Sequence, residues 1–508
     1  MKNIVQKYNL KFLLLLLLIS VLIGASNYIR LPLNASGDVL AFGAHAIILT
    51  FSFFGVLYLI SINRYSFILL FAPIVLIASI SAWCLYIPNI AISSAIIEVL
   101  LNTHWSISAE YLSFEMIAFF ILLLVAIAVV YYLRLNKGKL FSHRIYIHYI
   151  LAMLFVTSGV IVDAKRSNTI SSRVPFSVIS AFKEYQIIQE QNMQKRVSIG
   201  KDAVCLEQDS LSIVFIIGES VRNDHLGING YKKETTPNLK ALNVVSFYKT
   251  RSLYTHTAAS VPQILTRADS LMPEKSYSEE SFIKIFKQCG FDTYWFANQT
   301  PDYTYDGIAK SVDHYIPTSV MSSVYSDKLW TDENILEVFD SKISKSTKQK
   351  LIVLHTIGSH WYYNYRYDDR FKKFIPVSNS RSIHHNTSEE LINSYDNSIL
   401  YMDYFVSEII KKMEDENCIL IYLSDHGELL GEKGKWLHAV EHDVLRNAAC
   451  FVWMSDKYKR KHSDKEIAMK DKSSEEITTS FLFHSILDAG AIQTNCLDSL
   501  QSIFNLGN

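Results

Sequence analysis

The stretch CILIYLSDHGE, residues 418–428, decides the fold. A seven-residue run without a charge, rich in Ile, Leu and Tyr, ends abruptly at Asp425 and His426. Apolarity on every position, rather than on alternate ones, fits a strand covered on both faces, as in a parallel sheet. Runs of the same kind recur at 212–218, 291–298, 351–356 and 448–454, with polar, helix-like stretches between them. That alternation predicts an α/β layer structure with a mostly parallel central sheet.

The chemistry sits at the carboxyl ends of these runs. Glu219 comes directly after the first, Asn298 ends the second, His355 ends the third with His360 just past it, and Asp425-His426 follow the fourth. Open α/β sheets collect ligands at the carboxyl ends of their strands. A carboxylate and an imidazole side by side suit a divalent ion of borderline hardness, and His438, twelve residues after His426, can return to the same place. Taken singly, Asp425 and Glu219 also read as helix caps; it is their repetition at successive strand ends that points to a metal. Arg222 can neutralise a phosphate there or pair with Glu219. The segment Tyr254-Thr255-His256-Thr257-Ala258-Ala259-Ser260 sets hydroxyls among small residues, where a reacting group can come close. A Thr hydroxyl is a weak nucleophile until a metal or a base lowers its pKa. His384 and His385 lie in a polar stretch and read as surface, and the role of His442 stays open.

Working outward, the chain has 508 residues and balances 49 Lys and Arg against 49 Asp and Glu, so nothing in its net charge points to nucleic acid. Charges are scarce before about residue 160 and dense after it. Five apolar spans, roughly 9–26, 39–62, 66–90, 112–133 and 145–163, each approach the ~20 residues that cross a hydrocarbon core. The first also has the lysines and apolar stretch of a signal peptide, without a small-residue cleavage site. Lys2, Lys7 and Lys11 precede it, and Arg134, Lys137, Lys139 and Arg144 follow the fourth span, whereas the loop at 91–111 has neither residue type. Basic loops stay inside, so five crossings put the large domain outside; Lys165 and Arg166 run against this assignment. The expected organisation is a transmembrane domain at 1–163, a bridging segment at 164–210 and a catalytic domain at 211–508.

The six cysteines form no CxxC pair and no zinc-finger spacing. Cys205 and Cys496 are placed to tie the ends of the exported domain, while Cys289, Cys418 and Cys450 read as buried thiols.

Gly218-Glu219-Ser220-Val221-Arg222-Asn223-Asp224-His225, Gly230-Tyr231 and Thr236-Pro237-Asn238-Leu239 together resemble the opening of the phosphoethanolamine transferases. Thr257-Ala258-Ala259-Ser260-Val261-Pro262 resembles their nucleophile motif. His355 through Gly358-Ser359-His360, Tyr395-Asp396-Asn397, and Ser424 through Glu428, Gly431-Glu432 and Leu437-His438 match in order and spacing. The resemblance covers essentially the whole chain. It implies a bacterial inner-membrane, multi-pass protein: five transmembrane helices plus a periplasmic α/β domain of the alkaline-phosphatase/sulfatase type. It implies Thr257 as nucleophile, with Glu219, Asp425 and His426 (and Thr257 itself) on zinc, manganese being the alternative. His360 and His438 would hold the phosphoryl group or a second metal, with His355 nearby. The implied partners are phosphatidylethanolamine as donor, releasing diacylglycerol, and a glycolipid acceptor, lipid A or lipopolysaccharide core. Asn102 and Glu110 resemble residues of the family that face the lipid headgroup, and a carboxylate of their loop, which also holds Glu98, can pair with the donor's ammonium.

Two departures stand out. Leu253 and Gln263 occupy places where several lipid A enzymes have cysteines, which, with Trp295 through Asn298-Gln299, favours the core-sugar branch. A sulfatase would need a Cys or Ser in a Cys/Ser-x-Pro-x-Arg segment, and Val261-Pro262-Gln263 lacks it. A phosphoglycerol transferase shares the Thr chemistry and differs in donor. An inactive envelope-binding protein would show scattered loss of ligands, and every expected position is filled.

Overall fold

Alternation along the apolar runs builds the large domain. The computed structural model describes residues 2–28, 36–86, 92–94, 96–97, 101, 114–136, 141, 144–165, 170–192, 195–299, 301, 304–318, 329–343, 349–380, 383–438 and 440–505. Ser212–Gly218 forms β1, with every residue buried. Its side chains point alternately to the two faces: Ile213, Phe215 and Ile217 enter one core, Val214 and Ile216 the other. Val245–Ser246 (β2), Asp292–Ala297 (β3), His314–Pro317 (β4), Lys350–His355 (β5), Cys418–Ser424 (β6) and Cys450–Met454 (β7) complete a seven-stranded sheet in the order β2-β7-β6-β1-β5-β3-β4. β6, β1, β5, β3 and β4 run parallel. β7 is antiparallel to both β6 and β2, so the sheet is mixed. Each fully buried Ile or Leu on it adds about 1.5–3 kcal/mol of apolar transfer.

Two compact units divide the chain, one of Met1–Val99 with Leu112–Gln186, and one taking in Ile187–Asn508. Among the described residues the long helices of the first are Lys2–Ala25 (α1), Ser36–Ile62 (α2), Arg64–Tyr86 (α3), Phe114–Leu135 (α4) and Ile145–Lys165 (α5). Among the described residues four stretches, Gly43–Ile62, Arg64–Leu85, Phe114–Leu135 and Ile145–Lys165, are long and apolar enough to cross a membrane; the apolar part of α1, Leu10–Ala25, is shorter. Phe67 and Phe71 stack at 4.6 Å inside this unit, with Tyr131 edge-on to both. Arg134 caps the end of α2, donating to the carbonyls of Ser61 (3.0 Å) and Ile62 (3.3 Å).

After α5 comes the helix Ser177–Asn192 (α6). In the α/β unit, Thr257–Leu265 (α7) follows β2, and Ser388–Met413 (α8) precedes β6. A capping box starts α8: Thr387 accepts from the N–H of Glu390, whose side chain accepts from the N–H of Thr387. Its buried face, from Leu391 to Met413, packs on the same side of the sheet as Val214 and Leu420. All six cysteines are free thiols, which corrects the expected Cys205–Cys496 tie. Cys205 instead directs its thiol at the carbonyls of Glu207 and Gly490.

Candidate metal centre and nucleophile

β1 and β6 are neighbours in parallel register, Gly218 opposite Ser424, so the residues that come next in each emerge side by side. These are Glu219 and the Asp425-His426 pair, all buried. Between the two acids stands Ser220, whose backbone is left-handed at φ 61°. Its N–H donates to Asp425 Oδ1 (3.2 Å) and its hydroxyl to Glu219 Oε1 (2.7 Å), so one residue orients both carboxylates. Tyr395, buried on α8, clamps this turn: its hydroxyl donates to the carbonyl of Ser220 (2.7 Å) and accepts from the N–H of Arg222 (3.0 Å).

Thr257 is the first residue of α7, with extended His256 before it. The Thr257 hydroxyl donates to Glu219 Oε2 at 3.0 Å and lies 3.3 Å from His426 Nε2. The helix start directs its partial positive charge at the same place. Gln299 adds a donor to Glu219 Oε2 (3.1 Å) while bonding the carbonyl of Thr356 (2.7 Å).

Three histidines have one nitrogen committed. His426 Nδ1 pairs with the carbonyl of Gly427 (2.7 Å), His360 Nδ1 with that of Trp361 (2.6 Å), and His438 Nδ1 with Glu428 Oε2 (2.8 Å). A carbonyl accepts, so Nδ1 of His426 and His360 carries the proton and Nε2 of each presents a lone pair. Glu428, buried, is held on its other oxygen by the Tyr363 hydroxyl (2.7 Å). Ligand atoms of Glu219, His426 and His438 all lie within 4.8 Å of one another. The ring of His438 stands 4.5 Å from that of His426 and 5.9 Å from that of His360.

Electrostatics separates these groups. Burial pushes His360 down to about 4 and His426 to about 3, so both are neutral bases near pH 7. Burial acts on His438 in the same sense, but the Glu428 carboxylate outweighs it and carries His438 up to about 9. Burial, then the neighbouring Glu219 charge, pushes Asp425 well above the carboxylate range. Burial opposes ionisation of Glu219 too, yet the surrounding histidines, His426 first, hold its pKa below the usual value. Asp425 Oδ2 is buried without a hydrogen bond. Two acids crowded together, an orphaned carboxylate oxygen and an imidazole with a bare nitrogen form a donor set that a divalent cation satisfies. The residues present fit zinc.

Other candidates fall elsewhere. His355 is buried with its ring edge-on to Trp295 (5.8 Å) and Tyr305 (5.6 Å), its Nδ1 unpartnered, and burial lowers its pKa to about 4. Arg222 does not reach Glu219; it pairs with Asp224 and Glu432, each at 2.6 Å. His442 caps a short turn by accepting from the N–H of Val444 (3.3 Å). Glu98, Asn102 and Glu110, and the side chain of His384, lie outside the described residues. Sequence reading passed over Ser220 and Glu428, though both sit inside the quoted motifs. It also passed over Asp332, which accepts from the N–H of Ile357 (2.8 Å) and Gly358 (3.1 Å) and so shapes the loop leading to His360. No motif marked Asp332.

Residues 212–492, more than half of the chain, match the sulfatase family. The phosphoethanolamine transferase EptA of Salmonella typhimurium is 33% identical over 330 residues, 60% of this chain and 59% of that protein, so the chain aligns with less than two thirds of this relative. The integral membrane lipooligosaccharide phosphoethanolamine transferase A of Neisseria meningitidis has the same fold, with a TM-score of 0.80 at 23% identity over 97% of this chain and 98% of that one. The periplasmic domain of EptC from Escherichia coli, solved as a complex with zinc, matches 61% of this chain and 90% of its own with a TM-score of 0.55 at 23% identity. The chain belongs to the sulfatase family, and the relatives it is similar to are phosphoethanolamine transferases.

Proposed function

We propose that the chain is a metal-dependent phosphoethanolamine transferase that moves this group from phosphatidylethanolamine to an envelope glycolipid, lipopolysaccharide core or lipid A. The observation that carries the reading is the Thr257 hydroxyl, held 3.0 Å from Glu219 Oε2 and 3.3 Å from His426 Nε2 at the start of α7. Glu219, Thr257, Asp425 and His426 are the residues that would hold zinc, with manganese the alternative. Bound there, the ion supplies Lewis acidity that lowers the hydroxyl pKa and offsets phosphoryl charge.

Thr257 Oγ forms the new bond to phosphorus, and the bond from phosphorus to the glycerol oxygen breaks. The proton lost by Thr257 balances the one gained by the departing diacylglycerol. His438, protonated, holds a phosphoryl oxygen through its free N–H, and the bare Nε2 of His360 suits a second metal, while the acceptor hydroxyl or phosphate takes the group from Thr257, whose oxygen regains a proton. Glu428 and Tyr363 keep His438 in place for this. We count α1 as a fifth crossing, which leaves a multi-pass protein of the bacterial inner membrane with its α/β domain in the periplasm.

Mass spectrometry of envelope glycolipids tests the proposal in cells with the wild-type chain, with Thr257→Ala, or with neither. The wild type alone should add phosphoethanolamine, and Thr257→Ala should lose transfer by several orders of magnitude. Near-normal transfer by Thr257→Ala would move the nucleophile to Thr255 or Ser260. A phosphoglycerol adduct instead would replace the proposed donor.

A further inference from the structure

The turn at 170–174, beyond α5, is held from two sides. Asp163, in the last turn of α5, accepts from the backbone N–H of Ile170 (2.6 Å) and of Ser171 (3.2 Å). Asn27, just past α1, donates to the carbonyl of Val174 (2.9 Å) and accepts from its N–H (3.1 Å). Between these anchors Arg173 lays its guanidinium over the ring of Tyr28, 5.5 Å from the centroid. The Tyr28 hydroxyl is hydrogen-bonded to His45 Nδ1 at 2.5 Å.

Among the described residues this cation has no anionic counterpart. Arg173 Nε is buried with no hydrogen-bond partner. Among the described residues no carboxylate pairs with the guanidinium; Asp163 is engaged with the backbone of the turn. A partly buried guanidinium without an anion is costly, and its fork of donors matches a phosphate. Depth identifies the source of the phosphate. His45 lies at the beginning of the span Gly43–Ile62, Asp163 near the end of the span Ile145–Lys165, and Tyr28 three residues after α1. All three mark one end of the apolar stretches, the level at which phospholipid phosphates lie.

We propose that Arg173, set by Tyr28 and the pinned turn, binds the phosphodiester of a membrane phospholipid. The site deepens the functional reading above, on which it rests for its purpose, by giving the membrane unit a hold on the donor's phosphate. Under the topology with the N-terminus inside, it faces the outer leaflet.

Native mass spectrometry of the full-length protein tests this, with Thr257→Ala as the parent so that no lipid is consumed. The probes are phosphatidylethanolamine, phosphatidylglycerol and diacylglycerol. Both phospholipids should bind the parent roughly tenfold more tightly than diacylglycerol, and Arg173→Gln should remove that advantage while Arg173→Lys retains part of it. Equal binding of diacylglycerol and phosphatidylethanolamine by the parent overturns the proposal, as does full phospholipid binding by a folded Arg173→Gln protein. Should Arg173→Gln fail to fold, the parent's preference and Arg173→Lys decide the matter. Phospholipid binding that depends on Arg173, together with absence of any glycolipid modification by the wild type, would sink the transferase reading and leave this site standing.

Discussion

Ser220 shows at the scale of one residue how the centre is held. Its left-handed φ of 61° costs a non-glycine residue roughly 1–3 kcal/mol. Its return is an N–H on Asp425 and a hydroxyl on Glu219, the two acids that bracket the proposed ion. Groups that orient ligands typically contribute 10–100-fold to metal affinity. Ser220→Ala keeps the turn and loses the hydroxyl bond, so zinc affinity of the full-length protein, read by competition with a chelator, should fall about tenfold or more. Asp425→Asn, which removes a charge that zinc would neutralise, should lose most bound metal, and elemental analysis of the purified protein checks it. Unchanged affinity in Ser220→Ala would show that Gln299 and Thr257 suffice to position Glu219. Glu219, Asp425 and His426 were legible in the sequence because each stands at the edge of an apolar run; small residues marked the segment around Thr257, and only the family resemblance singled it out from Thr255 and Ser260. The role of Ser220 was not, since only its backbone conformation turns both polar groups towards the acids, and a serine carries no mark of φ.

Among the elements, α8 does more than cover the sheet. Tyr395 holds the turn that carries Glu219, Asn397 accepts from the N–H of Lys373 (3.1 Å) and of Phe374 (2.9 Å), and Ser398 bonds the hydroxyl of Ser359 (2.9 Å), next to His360. Further along, Asp403 accepts from the N–H of Asn238 (3.0 Å) and of Leu239 (2.8 Å), at the start of the short helix Pro237–Ala241. Burial outweighs these bonds and raises Asp403 to about 6 from an ordinary value of 3.8. The folded state therefore binds more protons than the unfolded chain between about pH 4 and 6, and the Asp403 contribution to stability falls as pH rises through that window. Two pKa units set its limit at about 3 kcal/mol. The urea midpoint of wild type relative to Asp403→Asn should decline from pH 4 to 6 and stay level from 6 to 7; a difference independent of pH would sink the assignment. The runs at 212–218 and 418–424 were legible as strands because full burial leaves them wholly apolar. The direction of β7 was not, because apolarity is the same for a strand running either way, and only its pairing with β6 shows it to be antiparallel. Nor was two-residue β2, too short for any periodicity.

The whole molecule joins an α/β unit that carries the candidate metal centre to a helical unit rich in lipid-compatible surface. Leu122 is 68% and Leu154 60% exposed, which suits hydrocarbon rather than water. The α/β unit has its own sheet and two apolar cores, and Glu219, Thr257, His360, Asp425, His426 and His438 all lie within it. The proposed chemistry on a small soluble phosphoester therefore needs nothing from the spans. A lipid donor is different, since its phosphate lies at headgroup level and must be brought to Thr257 within bonding distance; a misplacement of about 1 Å can cost ~100-fold. The charge-poor first third made the spans legible, whereas the anion site of Arg173 was not, because it depends on Asp163 of α5 and Asn27 just past α1 fixing a turn from two distant points of the chain. An isolated domain beginning near residue 200 should thus cleave a soluble phosphoester at a rate comparable to the intact protein. With phosphatidylethanolamine in vesicles it should fall behind by two orders of magnitude or so. In the intact protein, Arg173→Gln should raise KM for phosphatidylethanolamine and leave turnover of the soluble ester unchanged, a split that a damaged metal centre does not produce. Equal lipid transfer by the isolated domain and the intact protein would mean that the spans only tether.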